Sequence, residues 1–212
     1  MMDWPSMKRR IQAPKQLLVE GRTPEIFFRE WVEALGRKEA IEVRDFRSLD
    51  ELTDFLKVFT SYKEFKESVE SIGIIRDAED KPADAAFQSV CASLRAVNLA
   101  APETRGVFCN APRRTGVFIL PDCERAGMFE TLCWDVLEAN PAIAAELECV
   151  KAHFHCLAGA KVQPKNLEKA KVWMYLAGRG EFDPQVGRAA QNKVWDWNSP
   201  ALRRLDRFLG QL

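Results

Sequence analysis

The segment Gly73–Asp80 has the sequence Gly-Ile-Ile-Arg-Asp-Ala-Glu-Asp, in which short apolar residues lead directly into three acidic side chains. This pattern is typical of a buried strand in a parallel sheet whose carboxyl end reaches the surface, where open α/β sheets bind ligands. Closely spaced acids repel one another unless a cation lies between them, and hard divalent cations prefer oxygen ligands. The segment therefore indicates either a cation site at a strand end or a solvated acidic loop.

Two other apolar runs end in an acid in the same way. One covers residues 15–20 and ends in Glu20, and the other covers residues 116–120 and is followed closely by Asp122. Because the carboxyl ends of parallel strands lie at one edge of a sheet, Glu20, Asp77 and Asp122 are expected to approach one another. Such a group fits a Mg²⁺ site that is completed by water and supports phosphoryl transfer or hydrolysis.

The order of the predicted elements indicates the α/β class. Strands alternate with helices as far as about residue 138, and only helices follow. The pattern predicts a mostly parallel sheet of about four to five strands, flanked by helices and followed by a helical C-terminal section. The expected divisions are an N-terminal arm over residues 1–14, an α/β core over residues 15–140 and a helical section over residues 141–212 that packs on the core.

Several local signals make this prediction more specific. Thr23 is expected to cap the first helix, and Ser48 with Glu51 forms a predicted capping box for the second. A strand is expected over Ala40–Phe46, and residues 106–109 and 116–120 are expected to pair as a hairpin.

The composition excludes a global basic surface. The 212 residues include 31 Lys and Arg and 31 Asp and Glu, so the formal net charge is zero and nucleic-acid binding would need a local basic patch. No apolar run approaches the ~20 residues of a membrane span. No apolar signal-peptide segment follows the basic N-terminal residues, so a cytoplasmic protein with six reduced cysteines and no membrane partner is expected.

The strand-end motifs resemble those of the Toprim domain. Val19-Glu20-Gly21 follows a strand, and Asp77-Ala78-Glu79-Asp80 ends a later one. Toprim domains occur in type IA topoisomerases, bacterial primases, recombination-mediator proteins and OLD-type nucleases. From about residue 15 onward, the chain resembles a small stand-alone bacterial Toprim-like family without an assigned function. Further similar segments cover residues 116–122, 127–130, 169–171 and 194–196.

The resemblance implies roles for particular residues. Glu20 would be the general acid or base, and Asp77 with Glu79 would bind Mg²⁺ or Mn²⁺. The chain departs from the Toprim pattern where Glu79 replaces the second aspartate, and where Pro24 occupies a position at which an acid is often found. These departures put catalysis in question more than metal binding.

Other polar residues near these motifs are additional candidates. Asp80, Asp122 and Glu130 are candidate metal ligands, although Glu130 would also suit the dipole of the helix in which it lies. Lys171 is a candidate phosphate-binding residue, although a lysine on a helix is more often only solvated.

A second cluster contains both histidines of the chain. Cys149, His153 and Cys156 share one helical face and contain ligand types that suit Zn²⁺, but a structural zinc site needs a fourth ligand. Burial of these side chains on a core-facing surface is the favoured interpretation.

Two functions from different classes follow. The preferred one is Mg²⁺-dependent phosphodiester or phosphoryl chemistry, nuclease-like, on a nucleic acid or nucleotide. The alternative is a non-catalytic binding or regulatory module that retains the fold, because fold alone does not decide function. The sequence does not indicate the substrate or the oligomeric state.

Overall fold

The computed structural model describes residues 10–180 and 182–212. Within these residues, one sheet contains four strands, all parallel, in the order β2-β1-β3-β4. The predicted α/β class, with a parallel sheet flanked by helices and a helical C-terminal section, is confirmed. The strands are β1 (Lys15–Val19), β2 (Ile41–Asp45), β3 (Ser71–Asp77) and β4 (Arg114–Leu120).

The strand order reverses in the middle of the sheet. The chain moves outward from β1 to β2 on one side, and from β3 to β4 on the other. The crevice at the carboxyl ends of β1 and β3 is therefore the topological switch point, where doubly wound sheets bind their ligands. Glu20 and Asp77 lie at the two strand ends that border this crevice.

Helices connect the strands and form the C-terminal section. Short 3₁₀ turns at Pro141–Ile143 and Pro200–Leu202 precede two of them. The helices are α1 (Arg22–Ala34), α2 (Leu49–Ser61), α3 (Lys63–Ser68), α4 (Ala83–Ala96), α5 (Phe129–Glu138), α6 (Ala144–Gly159), α7 (Leu167–Ala177), α8 (Val186–Gln191) and α9 (Arg203–Gln211).

The sheet separates two apolar cores because successive side chains of a strand point to opposite faces. Ile74 of β3 belongs to the core formed with α2, α3 and α4, which we call the α2/α4 face. Ile75 belongs to the other core, formed with α1, α5 and the C-terminal helices, which we call the α1/α5 face.

The C-terminal section packs on the α1/α5 face through aromatic side chains. The Trp197 ring stacks on Trp31 of α1 with centroids 6.1 Å apart. The indole N–H of buried Trp195 donates to the carbonyl oxygen of Val186 over 3.1 Å. Phe208 of α9 lies against Phe118 of β4. These contacts anchor the helices to the sheet. At the other end, residues 10–14 of the expected N-terminal arm precede β1, and residues 1–9 lie outside the described residues.

The predicted hairpin over residues 106–120 is confirmed only in part, because residues 106–109 do not form a strand. Residues 106–109 form a loop that meets β4 through one antiparallel bridge between Phe108 and Gly116. A Cβ atom on Gly116 would lie 2.5 Å from the Phe108 ring, which packs in turn on Phe208. The apolar residues of this loop therefore pack against α9 through the Phe108 ring.

Of the two predicted helix caps, Thr23 is wrong, and Ser48 is correct in position but not in its hydrogen bonding. Helix α1 begins at Arg22, after Gly21 with a φ of 96°, so that Thr23 already lies within the helix. Ser48 is the residue before α2, but its side chain makes no capping hydrogen bond. The backbone N–H of Leu49 instead donates to Oε1 of Glu20 over 3.2 Å. A long-range carboxylate thus replaces the local cap.

Candidate functional site

Asp77 is the last residue of β3 and continues the α1/α5 face of the strand. Its carboxyl group accepts a hydrogen bond from the backbone N–H of Phe129, the first residue of α5. Burial and the negative charges of Glu20 and Glu130 raise the pKa of Asp77 to about 8, although the Phe129 N–H opposes this shift. At neutral pH this carboxyl group is therefore mostly protonated in the absence of a nearby cation.

Glu20 borders the same crevice from the α2/α4 face. Its Oε1 accepts the Leu49 N–H at the start of α2, and its Oε2 lies 3.7 Å from Nε of Arg76. Burial raises the pKa of Glu20 despite the opposing effects of Arg76 and Leu49. Glu20 and Asp77 are close enough for their charges to interact, but alternation along the strands directs them to opposite faces.

Glu130 lies in the first turn of α5, beside Asp77. Its side chain is 13% exposed, and its Oε1 lies 3.0 Å from Nζ of Lys169 on α7. Lys169 is therefore the lysine that contacts this acidic group. The predicted phosphate-binding residue Lys171 lies elsewhere, with its Nζ 5.2 Å from the centre of the Trp134 ring.

Glu79 has a left-handed backbone, with a φ of 58°, which is uncommon for a residue with a side chain. Its N–H donates to the carbonyl oxygen of Gly127 over 2.7 Å, and its own carbonyl oxygen accepts the Gly127 N–H over 2.8 Å. This bridge joins the loops that follow β3 and β4. The exposed Glu79 carboxylate adds to the negative charge that raises the pKa of Glu20 and Asp77. Asp80 is exposed in the turn before α4.

Asp122 is engaged by its own loop. Its Oδ1 accepts the backbone N–H groups of Glu124 and Arg125, and its Oδ2 lies 2.6 Å from Nε of Arg125. Arg125 also contacts Oδ2 of Asp135 over 2.5 Å. Burial alone would raise the pKa of Asp122, but these hydrogen bonds lower it below its usual range.

Sequence reasoning missed three residues of this group: Asp45, Arg76 and Lys169. Asp45 ends β2, and its Oδ1 accepts the Gly21 N–H over 2.8 Å. Burial raises the pKa of Asp45, and its charge in turn raises that of Glu20. The strand-end signal would have identified Asp45 if the predicted strand had stopped before Phe46. Lys169 lies in a segment of the family resemblance, residues 169–171, but no signal paired it with Glu130, because that contact joins α7 to α5.

The acidic group fits a water-rich cation site better than a closed cage. Within residues 10–180 and 182–212, no three His, Cys, Asp or Glu side chains are arranged to hold one metal ion. Mg²⁺ commonly keeps several waters and binds through one or two carboxylates. Burial and the negative charges of Glu20 and Glu130 disfavour ionisation of Asp77 in the absence of a nearby positive charge. The predicted metal ligands stay predictions.

The cysteine–histidine cluster lies on the outer surface of α6. Cys149, His153 and Cys156 are exposed, so the expected burial on a core-facing surface is wrong. The buried side of α6 is formed by Leu147 and Val150, which places the three polar positions toward solvent.

The part of the chain that the structure describes has no helix with the length and apolarity needed to cross a membrane.

Comparisons with known proteins give a family and one structural similarity. The C-terminal region of the Xanthomonas campestris pv. campestris OLD protein is similar, with a TM-score of 0.38 and 12% identity over 94% of this chain and 86% of that chain. The comparison with curated proteins found no match. Residues 14–212 match a family described as "Protein of unknown function (DUF3226)". The chain therefore belongs to the DUF3226 family.

Proposed function

We propose that the carboxyl edge at β1 and β3 binds Mg²⁺ or Mn²⁺ and supports nuclease-like phosphodiester or phosphoryl chemistry on a nucleic acid or nucleotide. The observation that carries the proposal is Asp77, whose pKa of about 8 marks an acid surrounded by other acids at the switch point. A cation placed there would relieve the repulsion and favour the ionised form. The Toprim resemblance of the Glu20 and Asp77 motifs gives independent support.

The residues divide into those that would hold the cation and one that would carry a proton. Asp77 and Glu130 would bind the cation, and Glu79 and Asp80 would add negative charge from the loop after β3. A bound divalent cation supplies charge neutralisation at phosphoryl oxygens and an activated water. Glu20 is the proposed general acid or base, because burial raises its pKa toward the range that suits proton transfer.

Two sequence candidates receive no role in this proposal. The Asp122 carboxylate is held by Arg125 and by two backbone N–H groups. The Lys171 ammonium lies against the Trp134 ring.

A non-catalytic binding module is the second candidate function. It is favoured by the existing cation partners, since Glu20 faces Arg76 and Glu130 faces Lys169. With two of its acids already compensated, the same edge would bind a cation or a charged ligand without turnover.

The test compares Asp77→Asn with the matched variant Asp84→Asn, which removes a carboxylate from the exposed surface of α4. Both variants and the native protein are purified in parallel and incubated with Mg²⁺ or Mn²⁺ and single-stranded, duplex or mononucleotide substrates. We expect turnover by the native protein and Asp84→Asn, and none by Asp77→Asn. Equal turnover in all three would overturn the proposal. A metal-dependent thermal shift that requires Asp77, without turnover on any substrate, would assign the binding module instead.

A further inference from the structure

Helix α7 presents an exposed aromatic residue next to the acidic site. Among the described residues, the large apolar side chains that are exposed are Val58, Val107, Val162, Leu167 and Trp173. Three of these five lie within residues 162–173. Trp173 is the largest, and 49% of it is exposed. About half of this tryptophan is therefore in contact with water, where a base could stack on it.

Trp173 is connected to the acidic site through Lys169, which lies one turn earlier on the same side of α7. The Lys169 Nζ lies 5.7 Å from the centre of the Trp173 ring and 3.0 Å from Oε1 of Glu130. These two distances place the indole ring within about 9 Å of the Glu130 carboxylate. Glu130 is near enough to Asp77 to raise its pKa. The Lys169 side chain therefore links the Trp173 ring to the acidic group.

The same part of the chain is locally basic. Residues 161–171 contain four lysines, at positions 161, 165, 169 and 171, and one acid, Glu168. The whole chain has a formal net charge of zero. Because Lys169 contacts Glu130 and Lys171 lies against the Trp134 ring, the exposed Lys161 and Lys165 are the lysines of this segment that we assign to a phosphate backbone.

We propose that Trp173 stacks an unpaired base of a single-stranded nucleic acid, with Lys169 holding the ring beside Glu130 and the neighbouring backbone directed toward Asp77. Stacking needs an open base face, which a duplex covers on both sides, so the ligand is single-stranded. The inference rests on the proposed function, because it names the substrate class of the same site.

An acidic peptide would use a different part of the surface. A cavity of about 400 Å³ lies between α6 and α7, and Phe154, Val162, Leu167 and Lys171 are among its lining residues. Trp173 is not part of that lining. Variants at Leu167 and Trp173 therefore distinguish the two kinds of ligand. Binding of a peptide in the cavity would depend on Leu167, whereas binding of a stacked base depends on Trp173.

The test measures binding of a labelled single-stranded oligonucleotide by fluorescence anisotropy in EDTA, so that no metal-dependent cleavage occurs. The proteins are the native chain, Trp173→Ala, Trp173→Phe and the control Leu167→Ala, each checked for an unchanged melting temperature. We expect Trp173→Ala to raise Kd about 5- to 100-fold, because aromatic stacking is lost, and Trp173→Phe to keep most of the affinity. Leu167→Ala and the native protein should bind alike, and both should prefer the single strand to the duplex.

Several results would overturn the proposal. They are the absence of measurable oligonucleotide binding, an unchanged Kd in Trp173→Ala, or binding of a polyglutamate peptide that depends on Leu167 while Trp173 has no effect.

Failure of the proposed function gives a different result. If the oligonucleotide binds through Trp173 but the native protein never cleaves it with Mg²⁺ or Mn²⁺, the stacking site stands and the catalytic proposal falls. If cleavage requires Asp77 but does not depend on Trp173, the catalytic proposal stands and the stacking site falls.

Discussion

The ends of β3 and β4 lie side by side, yet their aspartates have opposite electrostatic states. The Asp122 carboxylate is surrounded by donors, because Arg125 and two backbone N–H groups contact it, and its pKa is lowered. The Asp77 carboxyl group is buried near other acids, and both effects raise its pKa to about 8. The charge of Asp122 is compensated within its own loop, whereas we propose that a bound cation compensates the charge of Asp77.

This difference separates a structural acid from a candidate functional one. An acid with local donors stabilises its loop in the ionised form and gains little from a metal. Asp77 has one backbone donor, the Phe129 N–H, which does not offset burial and the neighbouring acids, so its ionisation lowers stability. Such a cost is common at functional sites.

Loss of the Asp77 carboxylate should have the largest effect on metal-dependent activity. We expect Asp77→Asn to lower cleavage at least ~100-fold, since a ligand of the proposed cation is lost. Asp122→Asn should lower it by less than about fivefold, because Asp122 is engaged by Arg125. Initial rates with Mn²⁺ measure both. If the two variants lose activity equally, the two strand ends are not functionally distinct.

The free energy of unfolding should change in opposite directions when Asp122 and Asp77 are substituted. Asp122→Ala removes several hydrogen bonds and leaves Arg125 with Asp135 alone, which should cost about 1–3 kcal/mol. Asp77→Asn should instead stabilise the metal-free protein above neutral pH by ~1 kcal/mol or more, which corresponds to ~2–4 °C. Thermal melts in EDTA at about pH 8 check both signs. Destabilisation by Asp77→Asn at that pH would contradict the raised pKa.

The pH dependence of stability gives a related test. Because the folded pKa of Asp77 exceeds its ordinary value, the folded state binds more protons, and stability from this group is lost as pH rises from about 4 through about 8. Asp122 has a lowered pKa, so its contribution is present above about pH 4 and is lost in more acidic solution. The melting temperature of Asp77→Asn minus that of the native protein should therefore increase between about pH 5 and 8. A constant difference across that range would show that Asp77 does not titrate there.

The smallest expected effect concerns Lys169. Lys169→Ala leaves Glu130 without its cation partner, so the negative charge near Asp77 increases. The pKa of Asp77 should rise by a few tenths of a unit, and added salt should reduce the effect because Lys169 is largely exposed. Carboxyl titration by NMR measures it, with Lys165→Ala as a control from the same basic segment. An equal change in both variants would indicate a general charge effect.

The sequence predicted the strands that position this site better than it predicted the side-chain contacts within it. Apolar runs ending in Glu20 and Asp77 correctly located two neighbouring strand ends, because burial of a central parallel strand produces continuous apolar sequence. An apolar run that ends in an acid did not distinguish Asp77 from Asp122. The donor that distinguishes them, Arg125, lies in a loop, and hydrophobic periodicity does not predict the conformation of a loop. Lys169 was missed because the packing of α7 on α5 depends on tertiary structure. Asp45 was missed through a one-residue error at the end of β2.

An NMR titration of the Asp77 side-chain carboxyl carbon shows whether this group is protonated at neutral pH and whether a cation ionises it. Asp77→Asn assigns the resonance, and titrations are recorded in EDTA and with saturating Mg²⁺. We predict a midpoint near pH 8 in EDTA and a shift of at least about one unit toward acid with Mg²⁺. A midpoint near the ordinary aspartate value of about 4, unchanged by Mg²⁺, would contradict the account.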